Sequence, residues 1–409
     1  NGGVITDAVS TQVWSGEANV SVSIVNWTKG KYSGEKTLST QTGNTVKSPF
    51  VYEHPDTISS ALKSSCDVKD AFDLKANKAK GFCYQGQTHG HEGFLIKDLN
   101  AARKFLKEEQ NKDVLFPFLI GDCLVAAYNS QPDRYVIDFR KQDVFEAQKY
   151  KELYKIIEKE VLPEKQEKAN KEKLKNEKIL EQNPKAKVNH DHESALKTWW
   201  RMFRPRGELL DILESQKRYI TCSCVTKRPI FEFISTEIHP NASLQVFPLE
   251  DDYSFGILSS QVHWEWFNAR CSTLENRPRY TSNTVFDSFP WPQKPTENKI
   301  AEIAKYAVEL RQKRKEIMEK NHFCLRDVYK TMETTPNNPV SEIQVKLDNA
   351  VREAYGISPE DDILEFILKL NKKCHDREVA GKEITPPGLP KSVKDQQKYI
   401  SQDCVKMEE

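Results

Sequence analysis

Alternating apolar and polar residues at the start of the chain predict paired β-strands. Two short apolar stretches before Ser15–Gly16 fit strands, and residues 18–27 alternate with a period of two after that turn. Because a lone hairpin cannot bury its own apolar face, we expect these strands to complete a sheet whose other members precede Asn1. The Lys-, Gly- and Ser-rich stretch 28–48 predicts a loop or weak strands.

The next part of the chain mixes short helices and strands. A helix capped by its own first residue is predicted over 98–106, and a shorter one over 59–62. Apolar runs at 114–121 and 134–139 are typical of strands. We therefore expect a mixed α/β unit over residues 49–140.

Residues 141–198 are rich in Lys and Glu, with sparse apolar positions. This pattern fits two helices broken at Pro163, because proline cannot continue a helix. We interpret the segment as an exposed, charged helical spacer.

A second β-rich unit over residues 199–295 gives way to a helical region over 296–375. The predicted elements of the second unit are helices at 208–215 and 259–270 and strands at 219–225, 230–234 and 244–247. Amphipathic periodicity predicts helices over 297–320 and 341–354. The tail 376–409 is rich in Pro and Lys, which favours disorder. The fold class is therefore α+β: terminal sheet strands, a two-part α/β domain interrupted by the helical spacer, and a C-terminal helical region.

Composition narrows the class of protein. The 409 residues, 38% hydrophobic and 30% charged, suffice for two or three domains with a polar surface. No apolar stretch approaches the roughly 20 residues that a membrane-spanning helix needs, and no signal peptide opens the chain. Nine scattered cysteines fit free thiols in a reducing cytoplasm, and Cys222-Ser-Cys224 lacks the spacing of a zinc site. The chain does not begin with Met, so we expect it to be a fragment of a longer protein.

Charge points to a local rather than a global nucleic-acid surface. The formal net charge is only +1, but residues 197–228 hold eight basic and three acidic residues, a local net charge of +5. Trp199, Trp200 and Phe203 are interleaved with them. Basic and aromatic residues together suit a surface that grips a phosphate backbone, although a solvated helix face is the plainer alternative.

A self-contained active site cannot be found in the sequence. No glycine-rich turn follows a predicted strand, and no Asn-Pro-Pro-aromatic stretch is present. His89 and His91 lie in a turn-like stretch without an obvious third metal ligand, and His190 and His192 flank the flexible spacer. We therefore predict no catalytic, cofactor-binding or metal-binding residue in this chain.

Several segments together resemble one enzyme family. They follow one another in a fixed order: residues 14–27, 114–122, 134–139, Trp199–Trp200, Arg206, 218–220, 255–260, Arg279–Tyr280, Phe289-Pro290-Trp291-Pro292, 325–329, 347–351 and 354–356. In this order they resemble the MmeI-like (type IIL/IIG) restriction–modification enzymes and related adenine-specific methyltransferases.

The resemblance implies a DNA-reading role. In that family a methyl group passes from S-adenosylmethionine to adenine N6, and a target-recognition domain selects the sequence. Residues 1–48 would then end a methyltransferase domain, and 49–140 and 199–295 would form the recognition domain. We expect double-stranded DNA and a catalytic domain in cis as partners, with S-adenosylmethionine bound by the full-length enzyme and not by this chain. Some members also carry a nuclease.

Candidate DNA contacts divide into two sets. Phosphate contacts position a duplex, whereas contacts with base edges specify its sequence. The phosphate candidates are Arg201, Arg204, Arg206, Lys217 and Arg218, with Arg270, Arg277 and Arg279 as second choices. The base-readout candidates are Ser223, Thr226, Lys227, Arg228, Asn241 and Gln245. Our hypothesis is that Arg228 or Lys227, in a turn before Pro229, reads a guanine.

Alternative interpretations remain open at this point. Trp14 and Trp27 fit ordinary sheet packing, or a place near a flipped base in the intact enzyme. The 289–292 motif fits an apolar plug against the catalytic domain better than a platform for stacking DNA bases. The spacer could be a basic arm across DNA. The whole chain could also be a stand-alone specificity subunit or, with less support, an RNA-binding or scaffold protein.

Overall fold

A four-stranded sheet opens the chain. The computed structural model describes residues 2–14, 21–43, 45–59, 62, 68–79, 81–274 and 277–408. Strands β1 (Gly3–Val13), β2 (Ser21–Lys29), β3 (Thr37–Gln41) and β4 (Phe50–Glu53) are ordered β2-β1-β3-β4. The hairpin β1–β2 was predicted and is antiparallel, whereas β3 runs parallel to β1. The predicted turn at Ser15–Gly16 and part of the predicted helix at 59–62 lie outside the described residues.

This sheet has a small core and exposed aromatic side chains. Its buried apolar cluster consists of Ala8, Leu38 and Ile58. Trp27 is 64% exposed and Trp14 46% exposed, so neither ring is buried in the core of this sheet.

The two predicted parts of the α/β domain form one unit, because they share both of its sheets. The first part contains β5 (Tyr84–Gln85), β6 (Leu95–Ile96), α1 (Leu99–Phe105), β7 (Leu115–Leu119), α2 (Gly121–Ala126) and β8 (Tyr135–Ile137). The second part contains α7 (Gly207–Leu213), β9 (Arg218–Ser223), β10 (Glu232–Ser235), β11 (His239–Pro240) and β12 (Leu244–Phe247). One sheet has the order β10-β9-β12-β5 and the other β11-β7-β8-β6, so each sheet contains strands from both sides of the spacer.

Four helices form the spacer: α3 (Val144–Ala147), α4 (Lys151–Glu160), α5 (Leu162–Gln182) and α6 (Asp191–Lys197). The predicted break is present, with Pro163 in the first turn of α5. However, the spacer is not wholly exposed: Leu153, Ile157 and Val161 are completely buried against a core that includes Phe94. The few apolar residues of the spacer therefore pack it against the sheet β11-β7-β8-β6.

The second half ends in packed helices. The helices are α8 (Asp252–Ser259), α9 (Gln261–Arg270), α10 (Glu297–Asn321), α11 (Leu325–Thr334), α12 (Pro339–Tyr355) and α13 (Ile363–Val379). Between α9 and α10 lies a short hairpin of β13 (Ser272–Leu274) and β14 (Arg277–Arg279). A Cβ added at Gly256 of α8 would lie 2.5 Å from Ile303 of α10, so these helices need glycine for their close approach. Gly356 ends α12 in the left-handed conformation, as its sequence predicts.

The tail after α13 is ordered, so the prediction of disorder is wrong. Val393 and Tyr399 are buried, and Val405 forms a parallel β-bridge with Ile234 of β10. Asp403 forms an ion pair with Arg311 of α10. A few buried residues hold this segment against the fold, and its Lys- and Pro-rich composition does not reveal them. None of the helices in the described ranges has the length and apolar character needed to cross a membrane.

Candidate DNA interface

A tight turn at residues 225–228 holds three of the predicted base-reading residues. The hydroxyl of Thr226 donates to the carbonyl oxygen of Arg228 at 2.5 Å, and it accepts from the Arg228 N–H at 3.2 Å. Thr226 therefore shapes the turn, and its hydroxyl proton is already used. Lys227 is exposed and Arg228 is half-buried.

The turn lies beside β14, which brings two candidate sets together. The N–H of Thr226 donates to the carbonyl of Pro278 at 3.0 Å, and the N–H of Tyr280 donates to the carbonyl of Cys224 at 2.7 Å. The guanidinium-bearing residues Arg277 and Arg279 flank Pro278; the first is exposed and the second is half-buried. We refer to residues 225–228 together with β14 as the basic edge.

Arg228 contacts two aromatic rings. Its Cζ atom lies 4.7 Å from the centre of the Trp264 ring and 5.1 Å from the centre of the Tyr329 ring. Trp264 belongs to α9 and Tyr329 to α11. No local sequence pattern connects these two residues with the turn, because they follow Arg228 by 36 and 101 positions and only the tertiary fold brings them there.

Two predicted DNA contacts are wrong because their side chains are buried. Arg218 is 2% exposed; its guanidinium donates to Asp252 at 3.1 Å, to Asp403 at 3.3 Å and to the carbonyl oxygen of Glu250. Gln245 is 3% exposed, and its amide donates to the carbonyl oxygen of Tyr84 at 2.8 Å. These donors are used within the fold and face no surface that DNA could reach.

Two further predicted phosphate contacts direct most of their donors inward. The guanidinium of Arg201 donates to the carbonyl oxygens of Lys141 and Gln142. That of Arg270 donates to the carbonyl oxygens of Val68 and Thr284. Burial lowers the pKa of Arg270. Both arginines bind together segments that are distant in sequence, so we rank them below the exposed cations.

The remaining phosphate candidates flank α7, with Arg204 and Arg206 before it and Lys217 after it. Arg204 is exposed, and its Cζ atom lies 5.2 Å from the centre of the Phe203 ring, which is itself 61% exposed. Arg206 has a positive φ of 53°, and its Nε atom is buried without a hydrogen-bond partner among the described residues. Burial, followed by the charge of Arg204, lowers the pKa of Arg206. Lys217 is exposed.

Ser223 lies close to Gly121 and Asn241 forms a β-bridge with Gln87, so neither residue belongs to the turn itself. A Cβ at Gly121 would lie 2.7 Å from the Ser223 hydroxyl. The Ser223 hydroxyl donates to the carbonyl oxygen of Val225 at 3.2 Å, and the Asn241 side-chain oxygen accepts from the Ser243 N–H at 2.8 Å. Both residues are half-buried, so part of each side chain remains accessible.

The other singled-out motifs have structural roles within this chain. Phe289 and Trp291 are buried in the helical core, so the 289–292 motif is a plug, but it fills this chain's own interior. Trp266 is completely buried, as expected for one of the pair Trp264 and Trp266. His91 lies 2.7 Å from Glu164, and no group of three or more metal-ligating residues is found within the described ranges.

The chain is similar to known proteins in both sequence and fold. Residues 209–293 match the family described as MmeI, target recognition domain. The chain is 29% identical over 133 residues to DNA methyltransferase A of Bacillus subtilis (strain 168), a stretch that covers 31% of this chain and 14% of that protein. A solved structure of the Type IIL restriction–modification enzyme MmeI in complex with DNA superimposes with a TM-score of 0.69 and 18% identity.

The match to that structure covers 92% of this chain and 46% of the MmeI chain. The chain therefore spans less than half the length of either relative. The basic edge lies within the residues that match the family. Residues 209–293 thus match the MmeI target recognition domain, and the chain as a whole has an MmeI-like fold.

Proposed function

We propose that this chain reads DNA sequence for an S-adenosylmethionine-dependent adenine-N6 methyltransferase of a restriction–modification system. It would act with a catalytic domain in the same polypeptide. The basic edge carries the proposal, because it places Lys227, Arg228, Arg277 and Arg279 together within the matched residues 209–293. The DNA-bound state of the MmeI structure and the name of the Bacillus relative support it.

The cations of the basic edge fall into two groups that suit different contacts with DNA. Lys227 and Arg277 are exposed, and no described residue pairs with either side chain, which suits contacts with phosphates. Arg228 is held by two rings and suits a fixed base edge. An arginine that donates two hydrogen bonds to guanine O6 and N7 contributes about 1–3 kcal/mol of discrimination.

The first test is binding of the full chain to a randomised duplex library over a range of salt concentrations. We expect enrichment of one short adenine-containing motif, with affinity that falls steeply as salt rises. Binding without sequence preference would mean that reading requires the catalytic domain. Absence of binding even at low salt would refute DNA reading by this chain and favour a scaffold role.

Single substitutions separate the two roles. Lys227→Ala or Arg277→Ala should weaken all sequences equally and reduce the slope of log affinity against log salt by about 0.9. Arg228→Ala should instead reduce the preference for guanine at one position. If Arg228→Ala left affinity and site preference unchanged, the assignment of Arg228 to base readout would be wrong.

Methyl transfer is assigned to the catalytic domain. The sequence has no glycine-rich turn after a predicted strand and no Asn-Pro-Pro-aromatic stretch, which supports the assignment of S-adenosylmethionine binding to the catalytic domain as well. Reaching adenine N6 requires the base to leave the stack, at a cost of a few kcal/mol, and contacts made by the recognition domain would hold the duplex meanwhile. The full-length enzyme should produce N6-methyladenine, detectable by mass spectrometry of digested DNA. A methylated cytosine instead would contradict the adenine assignment.

A further inference from the structure

The surroundings of Arg228 leave its hydrogen-bond donors available. No described residue forms a hydrogen bond or an ion pair with its guanidinium, although the side chain is half-buried. The rings of Trp264 and Tyr329 lie beside it. A cation–π contact places a guanidinium over the face of an aromatic ring and needs no oxygen or nitrogen acceptor. The rings therefore restrict the position of Arg228, while no described residue accepts a hydrogen bond from its guanidinium.

Tyr329 is itself fixed by a buried network. Arg314 of α10 is 1% exposed, and one of its amino groups donates to the Tyr329 hydroxyl at 3.2 Å. The same amino group donates to the carbonyl oxygen of Phe231, and the other binds the carboxylate of Glu232 at 2.7 Å. Glu232 opens β10. The position of the Tyr329 ring is thus set by Arg314 of α10, which also binds Phe231 and Glu232 at the start of β10.

A half-buried carboxylate of α12 also interacts electrostatically with Arg228. Asp348 of α12 accepts hydrogen bonds from the backbone N–H of Gln261 and from the amide of Gln344. Burial raises the pKa of Asp348, and the charge of Arg228 opposes that rise. The helices α9, α11 and α12 therefore all contribute a group that acts on one side chain of the turn.

We propose that Trp264 and Tyr329 are positioning residues that hold the Arg228 guanidinium for base readout, so that the C-terminal helical region helps to set the base preference. This inference rests on the proposed function, because it assumes that Arg228 contacts a base edge. It assigns a specificity role to α11, which lies outside the matched residues 209–293.

The test compares ring removal with ring retention in the full chain. Tyr329→Leu and Trp264→Leu each remove one ring, whereas Tyr329→Phe keeps the ring and removes only the hydroxyl that accepts from Arg314. Each variant, together with Arg228→Ala, is bound to duplexes that differ only at the position that Arg228→Ala affects. We expect Arg228→Ala to lose discrimination by about tenfold or more, the range of one bidentate contact. Each Leu variant should lose at least about threefold, as expected for one cation–π contact, and Tyr329→Phe less than twofold.

The outcomes distinguish the inference from the proposed function. If Arg228→Ala has no effect on base preference, the readout assignment fails. If Arg228→Ala relaxes the preference but both Leu variants keep it, DNA reading by Arg228 stands and the positioning role is refuted. A Leu variant that weakens all duplexes equally has only a structural role, which also refutes it. Because Tyr329 is buried, thermal unfolding of each variant is recorded, and Trp264→Leu decides the matter if Tyr329→Leu does not fold.

Discussion

At the scale of single residues, His263 shows how the fold fixes a protonation state next to the candidate site. It is completely buried in α9, with Nδ1 2.8 Å from the carbonyl oxygen of Leu258 and Nε2 2.9 Å from the hydroxyl of Tyr280. A carbonyl can only accept, so Nδ1 carries the proton and Nε2 accepts from Tyr280. Burial lowers the pKa of His263 to about 3, so the ring is neutral.

His263 should therefore make stability depend on pH. An unfolded histidine titrates near pH 6.5 and the folded one about 3, so its stabilising contribution is complete above pH 6.5 and declines as the pH falls towards 3. Between pH 6 and pH 5, we expect the wild type to lose about 1.4 kcal/mol more free energy of unfolding than His263→Asn does. Urea denaturation at each pH measures the difference. Parallel curves for the two proteins would contradict a neutral buried His263.

At the scale of elements, the crossing of α8 and α10 depends on a residue without a side chain. Gly256→Ala places a methyl group 2.5 Å from Ile303, and we expect it to lower the free energy of unfolding by about 1–3 kcal/mol. Gly207→Ala in α7 is the matched control, because a Cβ there meets no atom within 4 Å. The control should be neutral or stabilising by up to about 1 kcal/mol. Equal effects of the two substitutions in urea denaturation would refute the close approach.

The tail acts as a structural element through Asp403. Burial disfavours ionisation of its carboxylate, but the hydrogen bond and charge of Arg311 outweigh burial and hold the pKa of Asp403 far below its usual range. Asp403→Ala leaves Arg218 and Arg311 with Asp252 alone and should cost about 2 kcal/mol, less than a fully buried pair because the Asp403 side chain is 44% exposed.

Gln402→Ala tests whether this cost is specific to the carboxylate. Gln402 is exposed in the same segment and should change stability by less than about 0.5 kcal/mol. Thermal unfolding of both variants provides the comparison. A similar loss in both would indicate a general role of the tail backbone rather than the Asp403 ion pairs.

Elements with strong local patterns were predictable, and those held by distant contacts were not. Local sequence alone predicts the helices α10 and α12, from their periodicity, and the break at Pro163. The structure confirms all three. The ordered tail depends on partners far away in the chain, such as Ile234 for Val405. Local composition contains no information about such partners, so the tail was wrongly predicted to be disordered.

At the scale of the whole molecule, the two-sheet α/β unit is not built from one continuous segment of the chain. Gln245 and Val246 of β12 pair with residues of β5, more than 150 positions earlier in the chain. Arg218 is buried against Asp403, which lies 185 positions later. The same long-range contacts explain the wrong prediction for Arg218, because a basic cluster in a sequence does not show which arginine is buried in ion pairs within the fold.

This interweaving predicts that residues 209–293 do not fold alone. Without β5, β7, Arg311 and Asp403, the segment leaves Arg218 and Asp252 partly unpaired and two sheet edges open. We expect no cooperative thermal transition for the isolated segment. The matched control is the chain without residues 1–48, which should still unfold cooperatively because the cluster of Ala8, Leu38 and Ile58 is separate from the other cores. A sharp transition for the isolated segment would contradict the prediction.

The position of Asp403 also has a consequence for the order of events during synthesis. A ribosome adds about 5–20 residues per second, so the 185 residues between Arg218 and Asp403 take roughly 10–40 s to appear. During that interval Arg218 can pair with Asp252 but not yet with Asp403. The contacts of Ser401 and Asp403 with Arg218, and the bridge of Val405 with Ile234 of β10, can therefore form only after residues 401–405 have left the ribosome. A nascent chain stalled before that segment would lack all of these contacts.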